Sequence, residues 1–361
     1  MIKLLIISFL ISFFTSLTLI KLSSKIKALI TDRFHIGPQH FHTRSAIRLG
    51  GIGIFAGLLG SYILFLSEKL QFAKFLGLFL TCSFPIFFIG LIEDLKGGLS
   101  PKLRLVFLSL SGILAFFLLG AQIVRVDIPL FDTLLSFGLV SFIFTVFAIV
   151  GFTNAINIID GFNGLASGVS LLILLAIGYV AFKLGDYTIF GISLILIGAL
   201  MGFFILNYPY GLIFLGDSGA YLIGFIVAAI SIILVKNHPE VSAWFPLLLG
   251  IYPIYETLFS FYRKKILRGM SPLVPDGAHF HMLVYKIAVK KIFKVKDKTH
   301  RNPLTSLVIW FLNLFVIIPA VLFWRNTFVL IVFVILFIVI YNIIYFRLIK
   351  SKLPKIKKNV V

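Results

Sequence analysis

Three short polar segments interrupt an otherwise apolar chain: Leu91-Ile-Glu-Asp-Leu-Lys-Gly-Gly98, Asn154-Ala-Ile-Asn-Ile-Ile-Asp-Gly-Phe-Asn-Gly-Leu-Ala166 and Phe214-Leu-Gly-Asp-Ser-Gly219. Only 13 of the 361 residues are Asp or Glu, and Glu93, Asp94, Asp160 and Asp217 all fall in these segments. A carboxylate near membrane depth is costly unless it is paired, hydrated or bound to a metal. Adjacent acids such as Glu93 and Asp94 repel unless they share a cation or a proton. One of the two can act as a base toward a phosphate or hydroxyl while the other holds a metal or Lys96. The purely structural reading is a solvated helix end, with Asp94 paired to Lys96 or Arg104.

The second segment carries more chemistry. Asn154, Asn157 and Asp160 recur every third residue and share one face of a helical end. Asn157 and Asp160 offer oxygens to a hard cation. Gly161 and Gly164 permit tight turns and close backbone approach to a ligand. Asn163 both donates and accepts, which suits the edge of a base. An Asn/Gly-rich turn between two spans is the bland alternative. In the third segment Asp217 falls near a helix start, where free amides and the dipole stabilise a carboxylate. Its functional reading is a ligand holding Mg2+ against a diphosphate. Phe214 is placed to stack on a base, or is an ordinary apolar residue among 41 phenylalanines.

A fourth polar stretch is Ser271-Pro-Leu-Val-Pro-Asp-Gly-Ala-His-Phe-His-Met282, preceded by Arg263-Lys-Lys and Arg268. The spacing of His279 and His281 occurs in zinc sites, but only His300 is a nearby third imidazole and no cysteine accompanies them. With Asp276 and the arginines, the histidines suit phosphate recognition or orientation of a sugar phosphate. Basic residues that only set topology are the alternative. Arg48-Leu-Gly-Gly-Ile-Gly brings backbone close to a ligand at the start of a span. His35, His40 and His42, with Arg33 and Arg44, read as a basic interfacial segment. Glu256, inside an apolar run, is expected to pair with a loop arginine.

The elements that position these groups are transmembrane helices. The chain is 60% hydrophobic and 13% charged, far from the composition of a soluble domain. Cys82 is the single cysteine, so no internal disulfide is available. Runs of about 20 apolar residues predict an all-α polytopic bundle with spans at 2–22, 49–67, 72–92, 103–120, 133–153, 165–183, 187–206, 218–235, 241–262, 304–323 and 327–347. The first is read as a retained span rather than a cleaved leader. Residues 1–347 then form one catalytic domain, with inner loops 23–48, 93–102, 154–164, 207–217 and 263–303 and a basic tail over 348–361. With the N-terminus outside and the C-terminus in the cytosol, about 26 Lys and Arg fall on the inner side against about 7 on the outer. The candidate acids and histidines share that inner side. The net charge of +20 is thus a topology signal in a plasma (inner) membrane protein, and nucleic acid is not expected as a partner. The outer stretch Gln122–Leu130 alternates apolar and polar residues, which predicts a small β-hairpin over 121–131.

Taken in order, Arg48-x-Gly-Gly, Glu93-Asp94-Leu-x-Gly, Asn154-x-x-Asn157-x-x-Asp160-Gly-x-Asn163-Gly-Leu-Ala, Phe214-x-Gly-Asp217 and Ser271-Pro-x-x-Pro-Asp-x-x-His279-x-His281 resemble the polyprenyl-phosphate N-acetylhexosamine-1-phosphate transferases. The resemblance implies ten or eleven helices with a cytosolic site. It implies transfer of a sugar 1-phosphate from a UDP-sugar to undecaprenyl phosphate, with release of UMP and a need for Mg2+, Mn2+ being a substitute. It places Asp217 and Asn157 on the metal, Phe214 and Asn163 on the uracil, and Glu93 and Asp94 near the lipid phosphate or diphosphate. His279 and His281 face the donor phosphate and sugar. The full expected set is Glu93, Asp94, Asp160, His279 and His281 as reacting groups, with Arg48, Asn154, Asn163, Phe214, Arg268 and Asp276 as substrate contacts. Glu93 stands where the family usually has Asp, and Met282 where a third histidine is common. The expected partners are the UDP-sugar, the polyprenyl phosphate, the membrane and, in a homodimer, a second copy. A transporter also keeps boundary carboxylates, an intramembrane aspartyl protease needs two facing aspartates, and a weakly active nucleotide-sugar-binding relative is a further alternative.

Overall fold

The computed structural model describes residues 2–30, 46–67, 71–267, 269 and 277–351. Arg268 and Asp276, most of the stretch from Ser271, the histidines of the first inner loop and most of the basic tail lie outside the described residues. The helices in order are α1 (Ile2–Ile30), α2 (Gly50–Ser67), α3 (Gln71–Lys96), α4 (Pro101–Leu118), α5 (Pro129–Leu135), α6 (Gly138–Ile159), α7 (Leu165–Lys183), α8 (Tyr187–Asn207), α9 (Gly216–Asn237), α10 (Trp244–Leu249), α11 (Ile251–Tyr262), α12 (Phe280–Leu283), α13 (Lys298–Leu322) and α14 (Thr327–Lys350). Among the described residues nine of them are long and apolar enough to cross a membrane. The shorter α2 and the broken pair α10–α11 account for the other two expected spans. The all-α bundle therefore stands.

Three expectations change. The predicted span 241–262 is interrupted at Gly250. Pro253 has no N–H to return to the carbonyl of Leu249, and a Cβ at Gly250 would lie 2.4 Å from the Phe152 ring on α6. The loop expected over 263–303 is partly helical. A π-helical turn, Arg263–Leu267, extends α11, and a second, Val284–Ile292, extends α12. Its apolar residues Leu283, Val284, Ile287 and Val289 are buried, which is why the segment folds onto the bundle. The predicted hairpin over 121–131 does not form, and no strand occurs among the described residues. Its main-chain groups bond to side chains instead. Ile123 N donates to Thr145 Oγ1 (2.8 Å), Ser141 Oγ donates to Ile123 O (2.8 Å), and Trp244 Nε1 donates to Val126 O (3.0 Å). Pro129 then opens α5.

The axis of the bundle is α9, almost wholly buried and packed on α2, α3, α6 and α7. In lipid, helices gain little from apolar burial and rely on close packing of small residues. A Cβ at Gly90 on α3 would lie 2.6 Å from Ser218 Cα, and one at Gly224 would lie 2.9 Å from Thr153 Cα on α6. These contacts bring the C-terminal ends of α3 and α6 to the N-terminal end of α9. At the opposite end, Lys236 near the end of α9 borders an apolar cavity of about 400 Å3 with Phe144, Phe152 and Trp244. The cavity and the carboxylate segments are thus separated by the length of α9.

Candidate functional site

The start of α9 is set by main chain. Phe214 N donates to Ile47 O (2.8 Å), Gly50 N to Phe214 O (2.9 Å) and Gly51 N to Leu215 O (3.0 Å). Gly216 follows with φ +75°, a left-handed conformation that glycine adopts without penalty. A Cβ there would fall 2.4 Å from Arg48 O and 2.6 Å from Asp94 Oδ2. The first turn of a helix leaves N–H groups without partners, and no residue preceding α9 caps it with a side chain. Asp94 on α3 supplies the acceptor. Its Oδ1 receives Asp217 N (2.7 Å), and its Oδ2 receives Ser218 N (3.0 Å) and Ser218 Oγ (2.6 Å). Asp94 therefore pairs with neither Lys96 nor Arg104 through these contacts. It acts as a cap supplied by another helix, and a carboxylate has about four acceptor positions in all.

Asp217 projects from that turn with 14% of its side chain exposed. Its Oδ1 accepts from Asn157 Nδ2 (2.7 Å), and its Oδ2 lies 3.9 Å from Arg104 Nη1. Asn157 and Asn154 stand one turn apart on α6, and Asp160 ends the helix. Loss of solvation pushes the Asp160 carboxyl up to about 7, with the Asp217 charge adding and the Arg48 guanidinium opposing. Arg48 is also close enough to act on Asp94. Glu93 Oε2 accepts Leu99 N (2.8 Å), closing the turn after α3. Glu93, Asp217 and Arg104 all lie within electrostatic reach of Tyr221. The four acids of the three segments thus gather with two guanidiniums at one end of the bundle. Asp217 and Asn157 suit Mg2+, which takes one or two carboxylates and leaves its other positions to water and phosphate oxygens. Among the described residues no group of three His, Cys, Asp or Glu forms an all-protein cage.

The Gly161–Gly164 turn is clamped by residues far away in sequence. Asn163 N donates to Asn302 Oδ1 (2.9 Å), Ser306 Oγ donates to Asn163 O (2.7 Å), and Gly164 N donates to Asn207 Oδ1 (2.6 Å). Asn163 Nδ2 donates to Pro209 O (2.9 Å), leaving its buried Oδ1 without a hydrogen-bond partner. Asn163 is therefore a structural hub with one acceptor left over. Phe214 is 9% exposed.

His281 packs beside Gly161, the residue after Asp160, and His279 stacks on it. Their rings stack at 5.4 Å with an interplanar angle of 4°. His281 is fully buried, with Nδ1 3.3 Å from Tyr252 OH and no hydrogen bond to Nε2. A Cβ at Gly161 would lie 3.3 Å from that Nε2, so His281 covers the residue that follows Asp160. Burial pushes His281 down to about 3, with Glu256 opposing and His279 and Arg263 adding, so the ring is neutral at pH 7. Glu256 does not take a loop arginine as its bonded partner. Its carboxylate accepts His279 Nδ1 (2.8 Å), Phe280 N (3.2 Å) and Tyr341 OH (2.6 Å). Arg263 instead donates to Ala278 O and Tyr345 OH, both at 2.8 Å.

Arg104, Ser218, Asn207, Asn302 and Tyr341 were not singled out by spacing as site residues. The asparagines did carry a signal, as amides at the ends of apolar runs. Arg104 and Tyr341 carried none, because their partners lie more than 80 residues away.

Comparisons agree with the geometry. The profile of glycosyl transferase family 4 matches residues 76–235. The chain is 29% identical over 331 residues to a probable undecaprenyl-phosphate N-acetylglucosaminyl 1-phosphate transferase of Bacillus subtilis (strain 168), covering 88% of this chain and 89% of that protein. It is 30% identical over 259 residues to the phospho-N-acetylmuramoyl-pentapeptide-transferase of Streptococcus pneumoniae (strain CGSP14), covering 68% of this chain and 76% of that protein. It is 32% identical over 203 residues to the protein of the same name from Streptococcus agalactiae serotype III (strain NEM316), covering 54% of this chain and 59% of that protein. With this similarity and a bundle that gathers acids, amides and histidines at one end, the chain belongs to the polyprenyl-phosphate N-acetylhexosamine-1-phosphate transferases of glycosyl transferase family 4, and so is a sugar-phosphate transferase.

Proposed function

We propose that this protein transfers an N-acetylated sugar 1-phosphate from a UDP-sugar to a polyprenyl phosphate and releases UMP, initiating a lipid-linked envelope glycan. The observation that carries the reading is the convergence of Asp94, Asp160, Asp217 and Asn157 with Arg48 and Arg104 at one set of helix ends. We place that end in the cytosol and the N-terminus outside, from the excess of Lys and Arg in the inner loops.

In this reading an oxygen of the lipid phosphate attacks the donor phosphorus that bears the sugar. One phosphoanhydride bond forms, the bond to the UMP phosphate breaks, and UMP leaves with the electron pair. The attacking phosphate monoester is largely ionised near pH 7, so the step needs no strong base. Catalysis is mainly positioning and charge neutralisation. Asp94 fixes the turn that carries Asp217. Asp217 and Asn157 would hold Mg2+, and the ion when bound would supply charge neutralisation for the diphosphate. Arg48 and Arg104 supply further positive charge. Asn163 Oδ1, an acceptor with no partner, suits the imide N–H of uracil. His279 and His281 face the sugar phosphate, and Glu93 lies on the side of the attacking lipid.

The test is transfer of radiolabel from a panel of UDP-N-acetylhexosamines to undecaprenyl phosphate by purified protein in detergent, with Mg2+, with Mn2+ and with EDTA. The expected result is metal-dependent butanol-extractable label that is lost in Asp217→Asn. Absence of UDP binding by folded protein overturns the reading.

A further inference from the structure

Glu256 is a fully buried carboxylate whose partners come from three directions. His279 Nδ1 approaches from the histidine loop, Phe280 N from the first turn of α12, and Tyr341 OH from α14. A buried carboxylate that satisfies its oxygens this fully constrains the groups around it. An ionised carboxylate only accepts hydrogen bonds, so the shared proton resides on His279 Nδ1. With Nδ1 engaged by Glu256, Nε2 is the ring nitrogen left to meet a ligand, and the partner of one ring nitrogen influences the state of the other. No hydrogen bond joins His279 Nε2 to a described residue. The parallel stack with His281, itself seated over Gly161 beside Asp160, fixes the ring plane.

We propose that Glu256, supported by Tyr341, is the positioning residue of the His279–His281 pair: it keeps the proton of His279 on Nδ1 and turns Nε2 to the sugar phosphate of the donor. The inference rests on the reading that this loop faces the donor. Glu256 itself touches no substrate, and α14 enters the site only through Tyr341. The charged and titratable groups around the pair are His281, Tyr252, Arg263, Tyr341 and Tyr345. None of them changes in the variants below except Tyr341.

The test combines a spectroscopic and a kinetic readout on full-length protein. In 15N-histidine-labelled protein, with His279 assigned by the His279→Asn variant, the wild type is expected to carry a proton on Nδ1. Glu256→Gln, which offers an amide N–H to Nδ1, is expected to remove the proton from Nδ1. The same variant is expected to lose kcat by about 100-fold, the scale on which a misplaced positioning group slows a reaction. KM for the UDP-sugar stays within about twofold, and the kcat–pH profile changes shape. Tyr341→Phe removes one hydroxyl and is expected to lower kcat by about threefold to tenfold, with the Nδ1 proton kept. A proton still on Nδ1 in Glu256→Gln, or unchanged kcat beside a lowered melting temperature, overturns the proposal and leaves Glu256 a structural group. If Glu256→Gln does not fold, unchanged kcat in Tyr341→Phe at every pH overturns it. If the wild type transfers no label from any donor, the proposed reaction fails while the 15N measurement still decides the role of Glu256.

Discussion

Gly216 and Gly98 form a matched pair that isolates how tightly the site is packed. Both have positive φ, +75° and +74°. A Cβ at Gly98 meets nothing within 4 Å, whereas one at Gly216 falls 2.4 Å from Arg48 O and 2.6 Å from Asp94 Oδ2. Replacing either by Ala imposes a left-handed residue at about 1–2 kcal/mol. The same change recovers about 0.4–1 kcal/mol from the stiffer unfolded chain. Gly98→Ala is therefore expected to destabilise by at most about 1.6 kcal/mol. At Gly216 a steric penalty is added, and overpacking typically costs about 1–3 kcal/mol. The nearest atom is a main-chain oxygen, held by the bridge between residues 47–51 and 213–215, so it cannot rotate away. Gly216→Ala is thus expected to destabilise by about 2–4 kcal/mol. It also shifts Asp217 relative to Asn157, with a loss of transfer activity that Gly98→Ala does not share. The assay is unfolding in mixed micelles by SDS titration, with transfer measured in parallel. Equal destabilisation and equal activity in the two variants would refute the claim that Arg48 and Asp94 confine the start of α9.

Further expectations follow from other contacts. Burial raises the Asp127 carboxyl, but hydrogen bonds from Ala243 N, Arg125 and Thr327 outweigh it and hold the group below its ordinary value. A depressed folded value stabilises above the unfolded value and is lost as pH falls through the folded one. Asp127→Asn should therefore lose about 1–3 kcal/mol at pH 7, and the gap to wild type should close in acid unfolding scans; a gap that persists at low pH contradicts the assignment. Asp160, pushed up to about 7, holds its proton below that value and releases it above. If the carboxylate is the working form, kcat/KM at low Mg2+ should rise as pH passes about 7, and Asp160→Asn should abolish that limb; an identical limb in the variant shows another group to be responsible. Asn302→Ala leaves the buried Asn163 N–H without its acceptor and should cost about 1–3 kcal/mol, a figure that thermal unfolding in detergent will check.

The bundle was legible because lipid imposes length and apolarity on each crossing helix, and those features can be read locally. The candidate acids were legible for the converse reason, since a carboxylate among apolar runs is rare. What stayed hidden was pairing at long range. Nothing in Leu91–Gly98 reveals that Asp94 caps α9 rather than bonding its near neighbour Lys96, because the donors it serves are main-chain N–H groups brought in by packing at Gly90. The partner of Glu256 was missed because charge counting favours arginine, whereas the structure offers an imidazole, an amide and a phenol. Alternation over 122–130 suggested a hairpin, yet the hydroxyls of Ser141 and Thr145 took the ladder's place.

The splice between residues 47–51 and 213–215 has a bearing on how such an enzyme can diversify. Its three hydrogen bonds join amide to carbonyl, groups that every residue other than proline brings. Substitutions among the side chains of the splice leave these bonds in place except at Gly50 and Gly51, where a Cβ would meet Phe203 at 2.3 Å and Gly219 N at 2.4 Å, so the frame that holds Asp217 depends on two glycines rather than on side-chain chemistry. The histidine loop is held differently, through the side chains of Glu256, Arg263 and Tyr341, each of which a single substitution can remove. Tolerance to substitution is thereby partitioned within one site: the end that carries Asp217 is held by main chain, while the end that carries the histidines is held by side chains.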